Sequence, residues 1–233
     1  MKIATYNVAH CWNIFSKEIE YKKTAEAIKS LDADVIGLNE IRHLGDREGY
    51  DKQIPILSDL TGIPYGFFAK AINVEGGNTP YGNGILSKHP ILSVEVIPIP
   101  DPNPKTGTSY YETRCILKAK LEGDITVLVT HFGLNPDEQE NAVKTVMDNL
   151  EDERCILMGD FNITPDNTLL DAIRTKMKDV TKGSDRDFLS YSSDNPEMKI
   201  DYIFVSPDVE VISCDIPNIV CSDHFPHTAE INI

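Results

Sequence analysis

Short apolar runs recur along the whole chain, and their arrangement constrains the fold more than any other feature. Strands and helices alternate at the start, a strand-rich centre follows, and alternation returns at the end. Strands in this number, with helices at both ends, indicate two sheets packed face to face with helices outside. The pattern predicts strands over residues 2–8, 34–39, 65–72, 83–88, 91–99, 110–121, 124–131, 154–159, 200–206, 208–214 and 227–233, and helices over 17–31, 51–61, 135–150 and 166–177.

The chain is long enough for one large apolar core, and nothing in the sequence divides it. It has 233 residues, of which 41% are hydrophobic and 25% are charged, as is typical of a globular protein. It contains no internal repeat, no low-complexity tract and no long linker. We therefore expect an α/β protein with a single domain over residues 1–233.

The net charge limits the class of partner. The 22 basic and 37 acidic residues give a net charge of −15, whereas a protein that neutralises a DNA backbone needs a basic surface. A local basic cleft is still compatible with this charge, and a bound divalent cation would change the local field. Extended nucleic acid is therefore a disfavoured partner.

Cysteine usage and the N-terminal residues favour a reducing cytoplasm. The five cysteines are odd in number and form no CxxC pair, so neither a zinc ribbon nor a fully paired disulfide framework is indicated. The segment 1–7 reaches polar residues too soon for a signal peptide, although a secretion leader removed from the sequence would look the same. No apolar run is long enough to span a membrane.

Several polar residues stand where predicted strands end. Taken singly, each is ordinarily a solvated strand end, a turn residue or a half-buried histidine, but a core strand does not bury a lone carboxylate such as Asp201 without a compensating partner. Glu40 is expected at the C-terminal end of strand 34–39, the end at which open α/β sheets bind ligands. Together these residues offer oxygen ligands for a hard cation such as Mg²⁺ or Mn²⁺, amide donors and imidazoles, without the Cys and His clustering that zinc favours. The set is Asn7, Glu40, His131, Asp160, Asn162, Asp201, Asp223 and His224.

These residues lie in six short motifs whose order and spacing resemble the endonuclease/exonuclease/phosphatase superfamily. That superfamily includes DNase I, abasic-site endonucleases, neutral sphingomyelinases and inositol polyphosphate 5-phosphatases. The resemblance covers nearly the whole chain and implies a four-layer α/β/β/α sandwich, in which two mixed β-sheets pack face to face with helices outside. The motifs are Tyr6-Asn7, Asn39-Glu40, Thr130-His131, Gly159-Asp160-Phe161-Asn162, Ile200-Asp201-Tyr202 and Ser222-Asp223-His224.

The resemblance implies a metal side and a water-activating side of one site. Glu40 resembles the principal metal carboxylate, Asn7 a second ligand or a phosphate contact, and Asp223 a further metal-side or hydrogen-bonding carboxylate. Asp160 resembles the residue that orients or deprotonates the attacking water, and Asn162 the donor to the phosphoryl oxygen. The bound cation would neutralise phosphoryl oxygens and stabilise the leaving oxygen.

Two histidines and two further residues complete the predicted site. His224, oriented by Asp201, resembles an imidazole that acts in proton transfer or as a cationic stabiliser. His131 matches a second histidine that the DNase I-like and sphingomyelinase-like branches use and the abasic-site endonucleases generally replace. Asn83 and Arg114 are candidates for substrate contact, although Asn83 also fits ordinary turn chemistry and Arg114 a surface ion pair.

Three functions remain open at this point. The first is metal-dependent hydrolysis of a small or head-group phosphoester, the second is a nuclease of the same superfamily, and the third is a non-catalytic binding module. The segments expected to set specificity, at about 42–52, 73–82, 101–110 and 181–197, carry no run of Lys and Arg, which favours the first. Aromatic residues in or near them would stack a base or sugar, or equally pack the sheet margin; they are Tyr81, Tyr110, Tyr111, Phe188 and Tyr191.

Overall fold

The chain forms two large mixed β-sheets in the computed structural model, which confirms the predicted fold class. The structure describes residues 1–44, 51–74 and 76–233. The helices are α1 (Tyr21–Ser30), α2 (Gln53–Thr61), α3 (Pro136–Met147) and α4 (Leu169–Arg174), and a 3₁₀ turn covers Ala9–Cys11. The strands are β1 (Lys2–Asn7), β2 (Trp12–Asn13), β3 (Glu18–Ile19), β4 (Val35–Arg42), β5 (Tyr65–Val74), β6 (Thr79–Ser87), β7 (Ile91–Pro98), β8 (Cys115–Leu121), β9 (Ile125–His131), β10 (Cys155–Asp160), β11 (Lys178–Asp179), β12 (Asp201–Val205), β13 (Glu210–Asp215) and β14 (His227–Asn232).

Each large sheet has one parallel pair at its centre and antiparallel neighbours elsewhere. The first sheet has the six-strand order β13–β14–β1–β4–β6–β5, and the second has the order β11–β12–β10–β9–β8–β7. β1 runs parallel to β4, and β9 runs parallel to β10. The strands of each central pair therefore end at the same edge of their sheet, which brings the residues at those ends together.

Three apolar clusters separate the four layers. The central cluster joins the inner faces of both sheets and includes Ile3 and Val35 of the first and Ile156 of the second. A second cluster packs α1 and α2 on the outer face of the first sheet, and a third packs α3 and α4 on the outer face of the second. The order helix, sheet, sheet, helix is the predicted four-layer sandwich.

The two sheets approach each other closely in the middle of this central cluster. A Cβ atom on Gly37 would lie 2.7 Å from the sulfur of Met158 in the opposite sheet and 3.0 Å from a methyl carbon of Val129. A larger residue would therefore clash at this position of β4. The backbone of Gly37 packs directly against side chains of the opposite sheet.

Several predicted boundaries differ from the structure for identifiable reasons. The predicted helix 17–31 begins only at Tyr21, because Glu18–Ile19 pair with Trp12–Asn13 as a short hairpin. The predicted strand 110–121 begins at Cys115, since the preceding residues bond instead to acidic side chains of α3. The predicted helix 166–177 shortens to α4, because the Asn167 side chain accepts a hydrogen bond from the Leu169 amide and forms a local turn.

Two of the segments expected to set specificity are described in part. Residues 45–50 of segment 42–52 and residue 75 of segment 73–82 lie outside the described residues. Within the described residues, none of the helices has the length and apolar character needed to cross a bilayer.

Candidate functional site

The strands of both sheets carry polar residues on their inward faces at one end of the space between the sheets. Successive side chains of a strand point to opposite faces, so residues two apart share a face. β1 places Ile3 in the central apolar cluster, and Asn7 follows on the same face. β10 does the same with Ile156 and Asp160. The candidate site is therefore the polar end of the same layer that forms the core.

A cleft of about 530 Å³ opens at this polar end. Asn7 and Asp201 are buried beneath it, and Asn83 lies outside it. Seven of the predicted site residues line the cleft, namely Glu40, Arg114, His131, Asp160, Asn162, Asp223 and His224.

Asn7 connects the two sides of the cleft. Its amide nitrogen donates to Glu40 Oε1 and to Asp160 Oδ2, both at 3.1 Å, and lies 3.4 Å from His224 Nε2. Its amide oxygen accepts from the backbone N–H of Ala9 at 3.1 Å. The network thus directs the amide nitrogen of Asn7 toward the two carboxylates. Asn7 is fully buried, and its amide nitrogen joins the Glu40 and Asp160 carboxylates from beneath the cleft.

Glu40 lies on an irregularity within β4 rather than at the end of a strand. The pairing of β4 with β6 shifts register between Leu38 and Ile41, and Glu40 has a φ angle of +60°. The strand then continues to Arg42, so the expectation that it ends at Glu40 was wrong. A positive φ costs about 1 kcal/mol or more for a residue with a side chain, and such strain is found preferentially at functional positions.

The Glu40 carboxylate is held in its ionised form. It is 25% exposed, with Oε2 3.7 Å from His10 Nδ1. Burial opposes ionisation, but the nearby His10 ring, the neighbouring imidazoles and the hydrogen bond from Asn7 keep the pKa of Glu40 below its ordinary value. An ionised carboxylate that opens onto a cleft is the group that a hard cation needs.

Asp201 and His224 form a buried carboxylate–imidazole pair. Asp201 Oδ2 lies 2.8 Å from His224 Nδ1, which leaves Nε2 facing Asp160 Oδ2 at 3.6 Å. Burial favours the neutral imidazole, but the carboxylates of Asp201 and Asp160 outweigh it and raise the pKa of His224 above its ordinary value. His224 is therefore an imidazolium at neutral pH.

Asp160 occupies the centre of this arrangement. Its Oδ1 accepts from the backbone N–H of Asn162 at 2.9 Å, and its own backbone N–H donates to Asn39 Oδ1 at 3.0 Å. Burial and the nearby Asp201 carboxylate raise the pKa of Asp160, although the charge on His224 counteracts part of this effect. A carboxylate with a raised pKa is suited to accept a proton.

His131 differs from His224 in its charge, because its ring is held neutral. Arg114 donates to His131 Nδ1 at 3.2 Å, which places the proton of a neutral ring on Nε2, 3.4 Å from Asp160 Oδ2. Burial and the Arg114 charge hold the pKa of His131 well below its ordinary value. The site thus combines a cationic and a neutral imidazole on either side of one carboxylate.

Arg114 and Asp223 line the cleft with other partners. The guanidinium of Arg114 pairs with Glu112 at 2.6 Å, and both side chains are largely buried, so the pair is not the exposed surface pair that was the alternative. Asp223 Oδ1 accepts from Ser222 Oγ at 3.1 Å, and the Asp223 backbone carbonyl accepts from the Ser193 N–H at 2.7 Å. Asp223 therefore borders the cleft from a braced loop.

Asn83 is placed away from the cleft, where substrate contact is not available to it. It is 1% exposed, accepts from Asn39 Nδ2 at 2.8 Å and donates to the Cys115 carbonyl at 2.9 Å. Asn39 also donates to the Thr130 carbonyl at 2.8 Å. The two amides tie the first sheet to the second directly behind the site, because β6 continues through Asn83 instead of turning.

The sequence from residue 4 to residue 224 matches the Endonuclease/Exonuclease/phosphatase family. This chain belongs to that family. No curated protein matches the sequence.

Solved structures of the family share the fold. One from Beutenbergia cavernae has a TM-score of 0.83 at 19% identity and covers 100% of this chain and 71% of its own. A mannosyl-6-phosphatase from Bacteroides thetaiotaomicron has a TM-score of 0.76 at 17% identity, with 100% of both chains covered. The catalytic domain of human Nocturnin has a TM-score of 0.71 at 18% identity and covers 100% of this chain and 94% of its own. At these identities the likeness is one of fold.

Among the described residues, one cluster has ligand atoms close enough together to hold a cation, and Glu40 offers a further carboxylate at the cleft. Ligand atoms of Asp160, Asp201 and His224 lie within 4.8 Å of one another, but Asp201 and His224 are already hydrogen-bonded together and Asp201 is fully buried. Glu40 is partly exposed to the cleft, where its oxygens contact the Asn7 amide and His10. Glu40 and Asp223 both line the cleft, and their carboxylates are oxygen donors of the kind that hard cations bind.

Sequence reasoning missed His10 and Asn39. His10 contacts Glu40 from a 3₁₀ turn whose three residues all have positive φ angles. A turn of this kind leaves no periodic pattern of apolar residues in the sequence, so it was not predicted. Asn39 was quoted as part of a motif but given no role, although it contacts Asn83, Thr130 and Asp160. A polar residue at an inward position of an otherwise apolar strand, two after Gly37, was the available signal for Asn39.

Proposed function

We propose that this protein hydrolyses a phosphoester of a small molecule or head group with the help of a bound divalent cation. The observation that carries the proposal is the convergence of Glu40, Asp160 and the Asp201–His224 pair at one cleft. An ionised carboxylate, Glu40, opens onto the cleft on one side, and an imidazolium, His224, lies on the other. A decayed binding module would have no reason to keep this arrangement of buried charges.

The residues divide the chemistry among themselves. When bound at Glu40, Mg²⁺ or Mn²⁺ supplies positive charge that neutralises phosphoryl oxygens. Asp160 orients the attacking water and takes its proton, and Asn7 holds the Asp160 carboxylate in place from below. His224, fixed by Asp201, places positive charge where negative charge develops. Neutral His131 and the amide of Asn162 add donors at the cleft wall.

The charge of the cleft favours a substrate with a single phosphoryl group. Four carboxylates line it, from Glu40, Glu112, Asp160 and Asp223, and Glu112 already pairs with Arg114. The whole chain carries a net charge of −15. One divalent ion offsets two of these charges, which suffices for one phosphoryl group but not for a DNA backbone that presents many. The fold is shared with a mannosyl-6-phosphatase at 17% identity, and a likeness at this identity does not decide the substrate.

A metal titration joined to an activity assay tests the proposal. Hydrolysis of bis(p-nitrophenyl) phosphate should require Mg²⁺ or Mn²⁺ and stop with EDTA. Glu40→Gln should weaken cation binding in calorimetry by more than tenfold and abolish activity, whereas Glu140→Gln, on the exposed face of α3, should change neither. Unaltered cation affinity in Glu40→Gln would place the metal elsewhere. Cation binding without hydrolysis of any ester would support the alternative function, a non-catalytic binding module.

Duplex DNA supplies the competing result. Assayed beside small esters at low salt, where DNA binding is favoured, DNA should be cleaved with much lower kcat/KM. Efficient cleavage of plasmid DNA that disappears in Asp160→Asn, which excludes a contaminant, would establish the nuclease instead.

A further inference from the structure

Three large apolar side chains are exposed around the mouth of the cleft. Tyr110, Leu134 and Met198 line it and are 73%, 50% and 39% exposed. They come from three separate segments: the connection from β7 to β8, the loop after β9, and the segment before β12. A single exposed leucine needs no explanation, but three converging on one cleft form an apolar patch of the kind that marks a ligand site.

The first two of these side chains are held together by their neighbours. The backbone N–H of Ser109 donates to the side-chain oxygen of Asn135 at 2.8 Å, and the Asn135 side-chain nitrogen donates back to the Ser109 carbonyl at 3.2 Å. Asn135 is buried and caps α3. Tyr110 and Leu134, adjacent to this bond pair, are thereby presented as one surface, which we call the first apolar wall.

Met198 forms a second apolar wall with Tyr191. The backbone N–H of Tyr191 donates to the Met198 carbonyl at 3.0 Å, and that of Met198 donates back at 2.9 Å. The Tyr191 ring lies 4.9 Å from the His224 ring, centroid to centroid, at an interplanar angle of 51°. The second wall therefore runs from the mouth of the cleft to the reacting end.

The described lining of the cleft offers no unpaired basic side chain for a second phosphate. Of the described residues that line it, Arg114 is the one arginine and none is a lysine, and Glu112 lies 2.6 Å from the Arg114 guanidinium. A bound divalent ion and His224 would be engaged by the reacting phosphoryl group. A second anionic group on the substrate would thus meet carboxylates and apolar surface, which both disfavour it.

We infer that the group esterified to the phosphate is uncharged and carries a planar or apolar face, such as an aromatic ring, that contacts the first and second apolar walls. This inference rests on the proposed phosphoesterase function and specifies its substrate class. Contact with aromatic side chains stabilises a bound ring, and an apolar substituent gains from the same removal of surface from water.

A series of diesters with one common leaving group tests the inference. Methyl, phenyl and thymidine 5′-esters of p-nitrophenyl phosphate all release p-nitrophenolate, so their rates differ through the second substituent. With Mg²⁺ or Mn²⁺ present, the phenyl and thymidine esters should have kcat/KM at least tenfold above the methyl ester. The thymidine ester that carries an additional 3′-phosphate should lose most of this advantage.

Variants of the walls locate the contact. Tyr110→Ala and Met198→Ala should each reduce the phenyl-to-methyl ratio of kcat/KM by about three- to tenfold, chiefly through KM for the phenyl ester. Tyr65→Ala removes an aromatic side chain on β5 that lies outside the cleft and is 39% exposed, as Met198 is, and it should leave the ratio unchanged.

The outcomes separate this inference from the function on which it rests. Equal kcat/KM for methyl and phenyl esters, or a higher value for the ester with the additional phosphate, would overturn the substrate class and leave phosphoester hydrolysis standing. A ratio that persists in both wall variants would overturn the assignment of the walls. Hydrolysis of none of the esters with either cation would overturn both proposals.

Discussion

The two ends of the space between the sheets differ in chemistry although the same strands build both. At the closed end, Ile3 and Ile156 pack in an apolar layer from which water is excluded. At the open end, four residues farther along the same two strands, Asn7 and Asp160 meet through a hydrogen bond of 3.1 Å. Both pairs point inward because the period of a strand is two residues.

The difference shows that one structural position can serve stability or chemistry, depending on access to the cleft. The closed end gains free energy from apolar burial, which is roughly proportional to the area removed from water. The open end holds buried charges whose desolvation costs free energy and shifts their pKa values. Substitutions at the two ends should therefore affect different measurements.

The largest expected effect is on turnover at the open end. Asp160→Asn removes the proton acceptor and should lower kcat by about 10³-fold, which corresponds to about 4 kcal/mol, while KM and the melting temperature change little. Steady-state kinetics and thermal denaturation measure both. Asp59→Asn, at an exposed position of α2, serves as the matched control and should behave as the parent protein. Near-normal kcat in Asp160→Asn would end the role assigned to this carboxylate.

A substitution at the closed end should affect stability and leave turnover unchanged. Ile156→Ala leaves a cavity in the central cluster and should lower the free energy of unfolding by about 3 kcal/mol, with kcat of the remaining folded protein close to that of the parent. Urea denaturation together with the same kinetic assay would show this. Should Ile156→Ala lower kcat as strongly as Asp160→Asn, the two ends would not be separable as described.

An intermediate result is expected where the two ends meet. Asn39→Ala removes hydrogen bonds to Asn83, Thr130 and Asp160, so it should cost about 2 kcal/mol of stability and lower kcat by about tenfold, because Asp160 loses a positioning contact. Asn83→Ala keeps the contact to Asp160 and should reduce stability with a smaller effect on kcat. The kcat values of Asn39→Ala and Asn83→Ala, measured in the same assay, test whether Asn39 positions Asp160. Equal kcat in the two variants would contradict this positioning role.

The smallest effect concerns His227, an inward residue of β14 near the boundary. Burial and the positive charge of Lys199 lower its pKa to about 4, against the opposing charges of Asp179 and Asp201. In the unfolded chain the pKa is about 6.5, so the unfolded state binds more protons between these values and stability falls as the pH is lowered through them. We expect a loss of about 1–2 kcal/mol between pH 7 and pH 5.

Comparison with a variant isolates this contribution from the other titrating groups. His227→Gln lacks the titrating ring, so its unfolding free energy from urea titrations should fall less steeply over the same pH range. Parallel pH profiles for the two proteins would show that His227 does not carry the dependence.

The strands of both sheets and the helices outside them were predictable because the sequence patterns that mark them are local. Apolar runs marked β4, β9 and β10, and Asn135-Pro136 marked the start of α3, where Asn135 and Glu138 form a capping box. The limits of the shorter elements were less accurate, as in α1 and α4, since they depend on a hairpin partner and on a side-chain turn. Tertiary contacts override local preference at such ends.

The candidate site was predictable as a set of residues and less so as a geometry. The motifs named Glu40, Asp160 and His224, and the structure places all three on one cleft. They did not indicate that Glu40 stands on an irregularity inside β4, nor that the Asn7 amide nitrogen joins Glu40 to Asp160. Both features depend on partners in other strands, and Asn83 lies outside the cleft because its neighbours satisfy it there.

The sequence by itself determined the alternation of apolar and polar positions, the order of the motifs and an acidic chain with few cations near the site. The tertiary structure decided the charge states. His131 and His224 each follow a β-prone run or loop and look alike in sequence, yet one lies against Arg114 and the other against Asp201. In a buried, low-dielectric setting the nearest charge sets the protonation of an imidazole, and these charges come from residues 17 and 23 positions away along the chain. The neutral ring and the imidazolium differ because folding gave them different neighbours.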